Sequence, residues 1–136
     1  MRSGGTSAGP EGGLVVGVGI DAVDVERFRA VLARRPRIAE RVFTPAERAE
    51  AARRRDPVPG LAARFAAKEA VMKALSVGLG AFDFGDVEVI RQPGGAPRLI
   101  VRGRAAALAA ERFVAGWHLS LTDTASVAVA VAVAYS

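Results

Sequence analysis

Apolar residues alternate with small or polar ones from Leu14 to Ile20, the period of a β-strand with two unlike faces; the strand is expected to end at Asp21 and Asp24. Asp24 is suited to cap a following helix, whose apolar positions Phe28, Val31 and Leu32 recur at helical spacing until Pro36 stops it. Thr44-Pro45-Ala46-Glu47 reads as a capping box with proline at the first helical position, and this second helix should end before Asp56-Pro57-Val58-Pro59-Gly60. Leu61–Ser76 has high helix propensity throughout, with Gly78 as its expected stop. A strand near Asp86–Arg91, a turn at Gln92-Pro93-Gly94-Gly95 and a strand at Arg98–Arg102 follow, then an alanine-rich helix over Arg104–Phe113. Two strands, Trp117–Leu121 and Ser126–Tyr135, close the chain, joined through Thr122-Asp123-Thr124-Ala125. Strands and helices mix without a regular βα repeat, so the expected class is α+β.

Composition changes the picture in four places. Met1–Gly13 is rich in Gly, Ser and Pro without periodicity and is expected to be a flexible leader to a single domain over residues 14–136. With no cysteine, disulfides and thiolate chemistry are excluded. No apolar run is long enough to span a bilayer as a helix and no export segment is evident, so a cytoplasmic protein without a membrane partner is expected. Residues 26–55 hold ten Arg against four Glu, which points to an acidic partner: nucleic acid, an anionic membrane or an acidic protein surface.

Gly17-Val18-Gly19-Ile20-Asp21-Ala22 fits a dinucleotide-binding pattern, but it lies inside a strand, where no helix N-terminus can meet a pyrophosphate. A carboxylate at a strand end becomes reasonable beside phosphates when a cation lies between them, and Mg²⁺ takes one or two protein carboxylates plus phosphate and water oxygens. Asp21 therefore needs a second acid. Glu69 is the candidate: it borders the apolar face formed by Leu61, Phe65, Met72 and Leu75, with Lys73 one turn on. The only two lysines of the chain, Lys68 and Lys73, both lie beside it. Lys68 falls within the apolar arc close to Arg64, so its ammonium must either reach out to solvent or meet an anion.

Gly17-Val18-Gly19-Ile20-Asp21, Phe43-Thr44-Pro45-Ala46-Glu47, Arg64-Phe65-Ala66-Ala67-Lys68-Glu69-Ala70-Val71-Met72-Lys73-Ala74 and Trp117-His118-Leu119-Ser120-Leu121-Thr122 together resemble the holo-acyl-carrier-protein synthases, the small bacterial class of 4′-phosphopantetheinyl transferases. The resemblance implies a fold with an antiparallel sheet and helices packed on it, and an active site between the subunits of a trimer. It implies that Asp21 and Glu69 hold Mg²⁺ with the coenzyme A pyrophosphate, and that Arg64, Lys68, Lys73 and Ser76 lie near the coenzyme. Asp21, Glu69 and Lys73 would be the catalytic set. The serine of an apo acyl carrier protein would attack the β-phosphate and release 3′,5′-ADP, its proton going to Glu69 or to a metal-bound water. Arg27, Arg34 and Arg37 match positions that meet the carrier's acidic helix.

One position departs from the family's pattern. Its last motif usually ends in histidine after Ser-hydrophobic-Ser/Thr, and here Ser120-Leu121-Thr122 is followed by Asp123. A carboxylate about 4 Å from a phosphate charge would be repelled by roughly 1–4 kcal/mol. Asp123 is then tolerated in an exposed turn, recruits a cation, or marks a copy without activity. The alternative functions are accordingly a non-catalytic descendant that binds carrier protein and, less well supported for want of a reader motif and of aromatics for stacking, a basic nucleic-acid-binding domain.

Overall fold

The computed structural model describes residues 13–136, so the expected leader lies outside the described residues except for Gly13. Strand β1 (Val15–Asp24) leads into α1 (Val25–Arg34), α2 (Arg37–Val42), α3 (Pro45–Ala51) and the long α4 (Val58–Ala74). A short 3₁₀ turn at Phe84–Asp86 precedes β2 (Val87–Arg91) and β3 (Pro97–Val101), and α5 (Gly103–Glu111), β4 (Gly116–Asp123) and β5 (Val127–Tyr135) complete the chain. The α+β class holds. The strands form two antiparallel sheets rather than one, β1-β5-β4 and β2-β3.

Local chemistry accounts for most element ends. Asp24 accepts a hydrogen bond from the Arg27 backbone N–H at 2.9 Å and so caps α1. Thr44 and Glu47 form the reciprocal capping box of α3. Three boundaries differ from expectation. Pro36 ends α1 and also stands at the N-cap of α2, a helix of six residues that is too short to show a period. Helix α4 starts at Val58, because Pro57 and Pro59 fall in a first turn whose N–H groups lack helical partners anyway. Its stop is Ser76 rather than Gly78: Ser76 adopts φ 57°, while Ser76 N–H donates to Lys73 O and Val77 N–H to Met72 O at 3.0 Å each.

Helix α4 is apolar nearly all round and lies at the centre of the molecule. Small residues let it approach the three-stranded sheet closely. A Cβ added at Gly17 or Gly19 would strike the carbonyl oxygens of Ala74 and Ala70, respectively. From β5, Ala128, Ala130, Ala132 and Ala134 are fully buried on the same side. The other face of this sheet carries the larger side chains, Val18 and Ile20 from β1 and Val129, Val131 and Val133 from β5, with His118 and Ser120 from β4. Nothing in the chain covers that face among the described residues, and Val18 and Ile20 are exposed.

Gly19→Ala is expected to lower stability by about 3 kcal/mol, since the obstacle is backbone and the helix cannot move off the sheet without opening the core. Urea denaturation measures it, and a loss under 1 kcal/mol would mean the approach is looser than described.

Candidate active site

Asp21 lies near the end of β1, on the face turned towards α4. Lys73, exposed at the far end of α4, donates to Asp21 Oδ1 at 3.0 Å and to the Ile20 carbonyl at 2.9 Å. Glu69 precedes Lys73 by one turn and lines, with Asp21, Arg27 and Phe65, an open cleft of about 380 Å³. Burial pushes the Glu69 carboxyl above the usual glutamate range, the charge of Asp21 pushes it the same way, and Lys73 opposes both. Two carboxylates facing one cleft, one of them short of counter-charge, are a donor set that fits a hard divalent cation. Among the described residues no group of three or more His, Cys, Asp or Glu gathers at one point, so further oxygen ligands would have to come from substrate and water.

Phe28, Val31 and Phe65 line both this cleft and a larger apolar groove of about 950 Å³ that runs past Val42 and Phe82 to Phe84. Phe65 stacks on Phe28 with centroids 5.4 Å apart and lies 5.7 Å from Phe84, so an aromatic wall extends from the carboxylates along the groove. Arg27 lines the cleft and Arg41 the groove. Arg34 ends α1 and Arg37 begins α2, both exposed. The three arginines expected to meet a partner thus follow α1 and its continuation. Other cations of the basic segment are neutralised within the chain: Arg29 by Glu26 and Asp56, Arg53 by Glu50, Arg54 by Asp123.

The remaining expected site residues are not brought to this cleft. Lys68 is 0% exposed and donates to Glu47 Oε1 at 2.9 Å, to the Phe84 carbonyl at 3.0 Å and to the Val87 carbonyl. Its three protons are all used inside the protein. The anion that the buried ammonium required is Glu47. Burial lowers the proton affinity of Lys68, and Glu47 offsets part of that. Ser76 is exposed at the end of α4. Arg64 is 4% exposed in the second turn of α4, where one of its terminal N–H groups donates to the Gly60 carbonyl at 3.0 Å and its Nε has no partner.

Asp123 also differs from expectation. It is the last residue of β4 rather than part of an exposed turn, and its carboxylate is 17% exposed. Arg54 holds it with both ends of the guanidinium, at 2.9 and 3.3 Å. Of the three explanations for this aspartate, the structure supplies the second, a recruited cation. No sequence signal distinguished Arg54 from its neighbours Arg53 and Arg55.

The family model described as the 4′-phosphopantetheinyl transferase superfamily matches residues 17–132. The chain belongs to that superfamily. This phosphopantetheinyl transferase is similar to the holo-[acyl-carrier-protein] synthase of Frankia alni, with 53% identity covering 90% of this chain and 98% of the relative. Among solved structures, the holo-[acyl-carrier-protein] synthase of Neisseria meningitidis matches with TM-score 0.81 and 30% identity over 90% of this chain and 100% of that chain. The enzyme of Bacillus anthracis, in complex with CoA (3′,5′-ADP), matches with TM-score 0.75 and 32% identity over 90% and 98%. No helix among the described residues of the transferase is long and apolar enough to cross a membrane.

Because the folded state holds the Glu69 proton above the ordinary glutamate value, the charged form costs stability at neutral pH. Glu69→Gln is therefore expected to raise the thermal midpoint at pH 7.5 by about 2 °C, a gain that vanishes below about pH 4, where the carboxyl is protonated folded or unfolded. Millimolar MgCl₂ should raise the midpoint of the wild type and leave the variant unmoved. Equal Mg²⁺ shifts in both proteins would remove Glu69 from the cation site.

Proposed function

We propose that this chain transfers the 4′-phosphopantetheine arm of coenzyme A to a serine of an apo acyl carrier protein. The observation that carries the reading is the cleft lined by Asp21 and Glu69 beside an apolar groove, with Lys73 bonded to Asp21. Asp21 and Glu69 would hold Mg²⁺, which when bound supplies charge neutralisation to the diphosphate. Lys73 sets an ammonium beside the same oxygens, and the aromatic wall of Phe28 and Phe65 limits water on the other side. The serine oxygen forms a bond to the β-phosphorus, its proton passes to Glu69, and the bond from that phosphorus to the bridging oxygen breaks. Adenosine 3′,5′-bisphosphate leaves with the bridging oxygen. Positioning and electrostatics supply most of such a rate enhancement.

The carrier would lie along α1. Arg41 lines the apolar groove and Arg27 the cleft beside it, and Arg34 and Arg37 are exposed at the junction of α1 and α2, a basic surface suited to an acidic amphipathic helix. A non-catalytic descendant of the fold had Asp123 as its ground, and Arg54 neutralises that carboxylate.

The uncovered sheet face supports a trimer. Strand β5 buries alanines and turns valines outward, the reverse of what an isolated domain needs, so a second copy is the natural cover for that face. Asp21 pairs in register with Ala130 and Asp123 with Ala128, on opposite outer strands of one sheet and about 12 Å apart. In a ring of copies the Asp21 side of one chain can face the Asp123 side of the next, an arrangement that would accommodate an active site between subunits.

The deciding experiment is the mass of a purified apo acyl carrier protein after incubation with the enzyme, coenzyme A and MgCl₂. A gain of one phosphopantetheine that chelator abolishes is expected, together with its loss in Asp21→Ala. Several folded apo carriers left unmodified would overturn the function. In the same assay Arg27→Glu and Arg34→Glu should raise the KM for carrier about tenfold at low salt and flatten its salt dependence. For the assembly, sedimentation should give about three times the 14.1 kDa chain mass for the wild type and a smaller species for Val131→Glu. A monomeric wild type at micromolar concentration would refute the trimer.

A further inference from the structure

The uncovered face of the three-stranded sheet is not apolar throughout. Its rows run across all three strands: Ala22, Val129 and Thr122, then Ile20, Val131 and Ser120, then Val18, Val133 and His118. Strands β1 and β5 thus contribute small or aliphatic side chains, whereas β4 contributes Gly116, His118, Ser120 and Thr122. His118 is the only histidine of the chain, and it is exposed. It takes no part in the cleft of Asp21 and Glu69, which opens on the opposite face of the same sheet.

The imidazole has a built seat. Its ring stacks on that of Tyr135, with centroids 4.8 Å apart and planes 29° from parallel. Tyr135 in turn lies over Gly116, where an added Cβ would strike the phenol oxygen and the carbon that carries it. The missing side chain at Gly116 therefore lets the tyrosine lie close against β4 and support the histidine from one side.

What faces His118 offers a proton no counter-charge. From β1 the neighbour is Val18, from β5 Val133 and Tyr135, and from its own strand Gly116 and Ser120; no helix packs on this face. Only Tyr135 among these can ionise, and a phenol does so far above neutral pH. Asp21 and Asp123 pair with buried alanines and so project from the other face, while Asp24 stands three rows away and caps α1. Ser136 lies beyond Tyr135, bonded through its N–H and hydroxyl to Leu14. Among the described residues no carboxylate forms an ion pair with the imidazole.

In the free chain water solvates the ring in either form. Covered by a second copy, a neutral imidazole joins a face of valines at little cost, but an imidazolium would be an unpaired charge taken out of water. We propose that His118 is a pH-sensitive switch of assembly: the neutral ring lets the sheet faces of the copies close on one another, and its protonation opens them. The inference rests on the reading of this face as the contact between copies. Histidine then binds its proton less tightly in the assembly than in the free chain. Assembly is complete at high pH and is lost as the pH falls through the range in which histidine titrates, about pH 8 to 5. Each chain brings one histidine, so a trimer takes up as many as three protons when it comes apart. Its dissociation constant should rise by up to about 10³-fold per pH unit.

Sedimentation of the full-length protein at micromolar concentration and constant ionic strength, from about pH 8 to about pH 5.5, tests the switch. The wild type should pass from about three times the 14.1 kDa chain mass to a smaller species, at a lower pH when the protein is more concentrated. His118→Gln and His118→Phe, which cannot take up the proton, should stay assembled over the whole range. His118→Lys should be the small species throughout, with an unchanged circular dichroism spectrum. Glu69 also holds its proton above the ordinary glutamate range, so Glu69→Gln serves as the control and should dissociate as the wild type does. A wild type still trimeric at about pH 5.5, dissociation with pH that both neutral variants share, or a His118→Lys chain that assembles like the wild type overturns the switch and leaves the trimer standing. A wild type that is monomeric at about pH 8 removes the trimer, and the switch with it.

Discussion

The architecture depends on how closely α4 approaches β1. Side chains on a strand recur every two residues on one face, so Gly17, Gly19 and Asp21 all turn towards the helix. The two glycines admit the carbonyls of Ala74 and Ala70 at a distance no other residue would allow. With the helix axis fixed in this way, the third member of the row, Asp21, comes within 3.0 Å of Lys73 and shares a cleft with Glu69. The spacing of the strand and the turn of the helix bring the acidic pair together, and no separate device is needed to aim it. The alanines of β5 extend the same flat seat, and displacing its valines to the far face is what leaves that face apolar.

A second constraint fixes how α4 is turned. Three acceptors converge on one nitrogen, the Lys68 ammonium: Glu47 Oε1 and the carbonyls of Phe84 and Val87. A compact, rotatable ammonium can serve three such directions, whereas a planar guanidinium cannot, and this explains a lysine here in a chain with only one other lysine, Lys73. Glu47 is shared as well: Oε1 also accepts the Thr44 N–H at 2.9 Å and Oε2 the Val89 N–H at 2.8 Å. One buried carboxylate thus closes the cap of α3, binds α4 and pins β2. Removing either charge would strand the other, at a cost of about 3–5 kcal/mol. The adjacent Glu69 and Lys73 are left facing outward, so the helix divides its charges between structure and site.

Features set by short-range chemistry were legible in the sequence. The Asp24 cap, the Thr44 and Glu47 box, the hairpin of β2 and β3 and the core of α4 all follow from residues within a few positions of one another. The pairing of Asp21 with the face of α4 that carries Glu69 and Lys73 was also anticipated, since a second acid was sought there. What escaped notice depended on distance or on size. Helix α2 is shorter than one hydrophobic repeat, and the two prolines around Val58 read as a break although a first helical turn accepts them. In β5, alanine and valine count alike as apolar, so the pattern shows alternation but not which face is buried; only packing against α4 decides it. The position of Lys68 in the apolar arc posed the right question, solvent or anion, but Glu47 lies 21 residues away and nothing local pointed to it.

Asp123 carries the same lesson into the electrostatics. Against a phosphate at about 4 Å an isolated carboxylate costs roughly 1–4 kcal/mol, which is why its presence raised doubt about activity. That figure describes an unpaired charge. Arg54 stands 69 residues earlier in the chain and 2.9 Å away in space, so to a distant anion the pair is a dipole whose field falls off faster than that of either charge. A carboxylate whose charge is cancelled by such a cation no longer carries that penalty. A substitution that changes the sign of a site residue therefore has no fixed electrostatic meaning until its spatial partner is known. In this fold the partner comes from the loop before α4, the element on which the whole site is built.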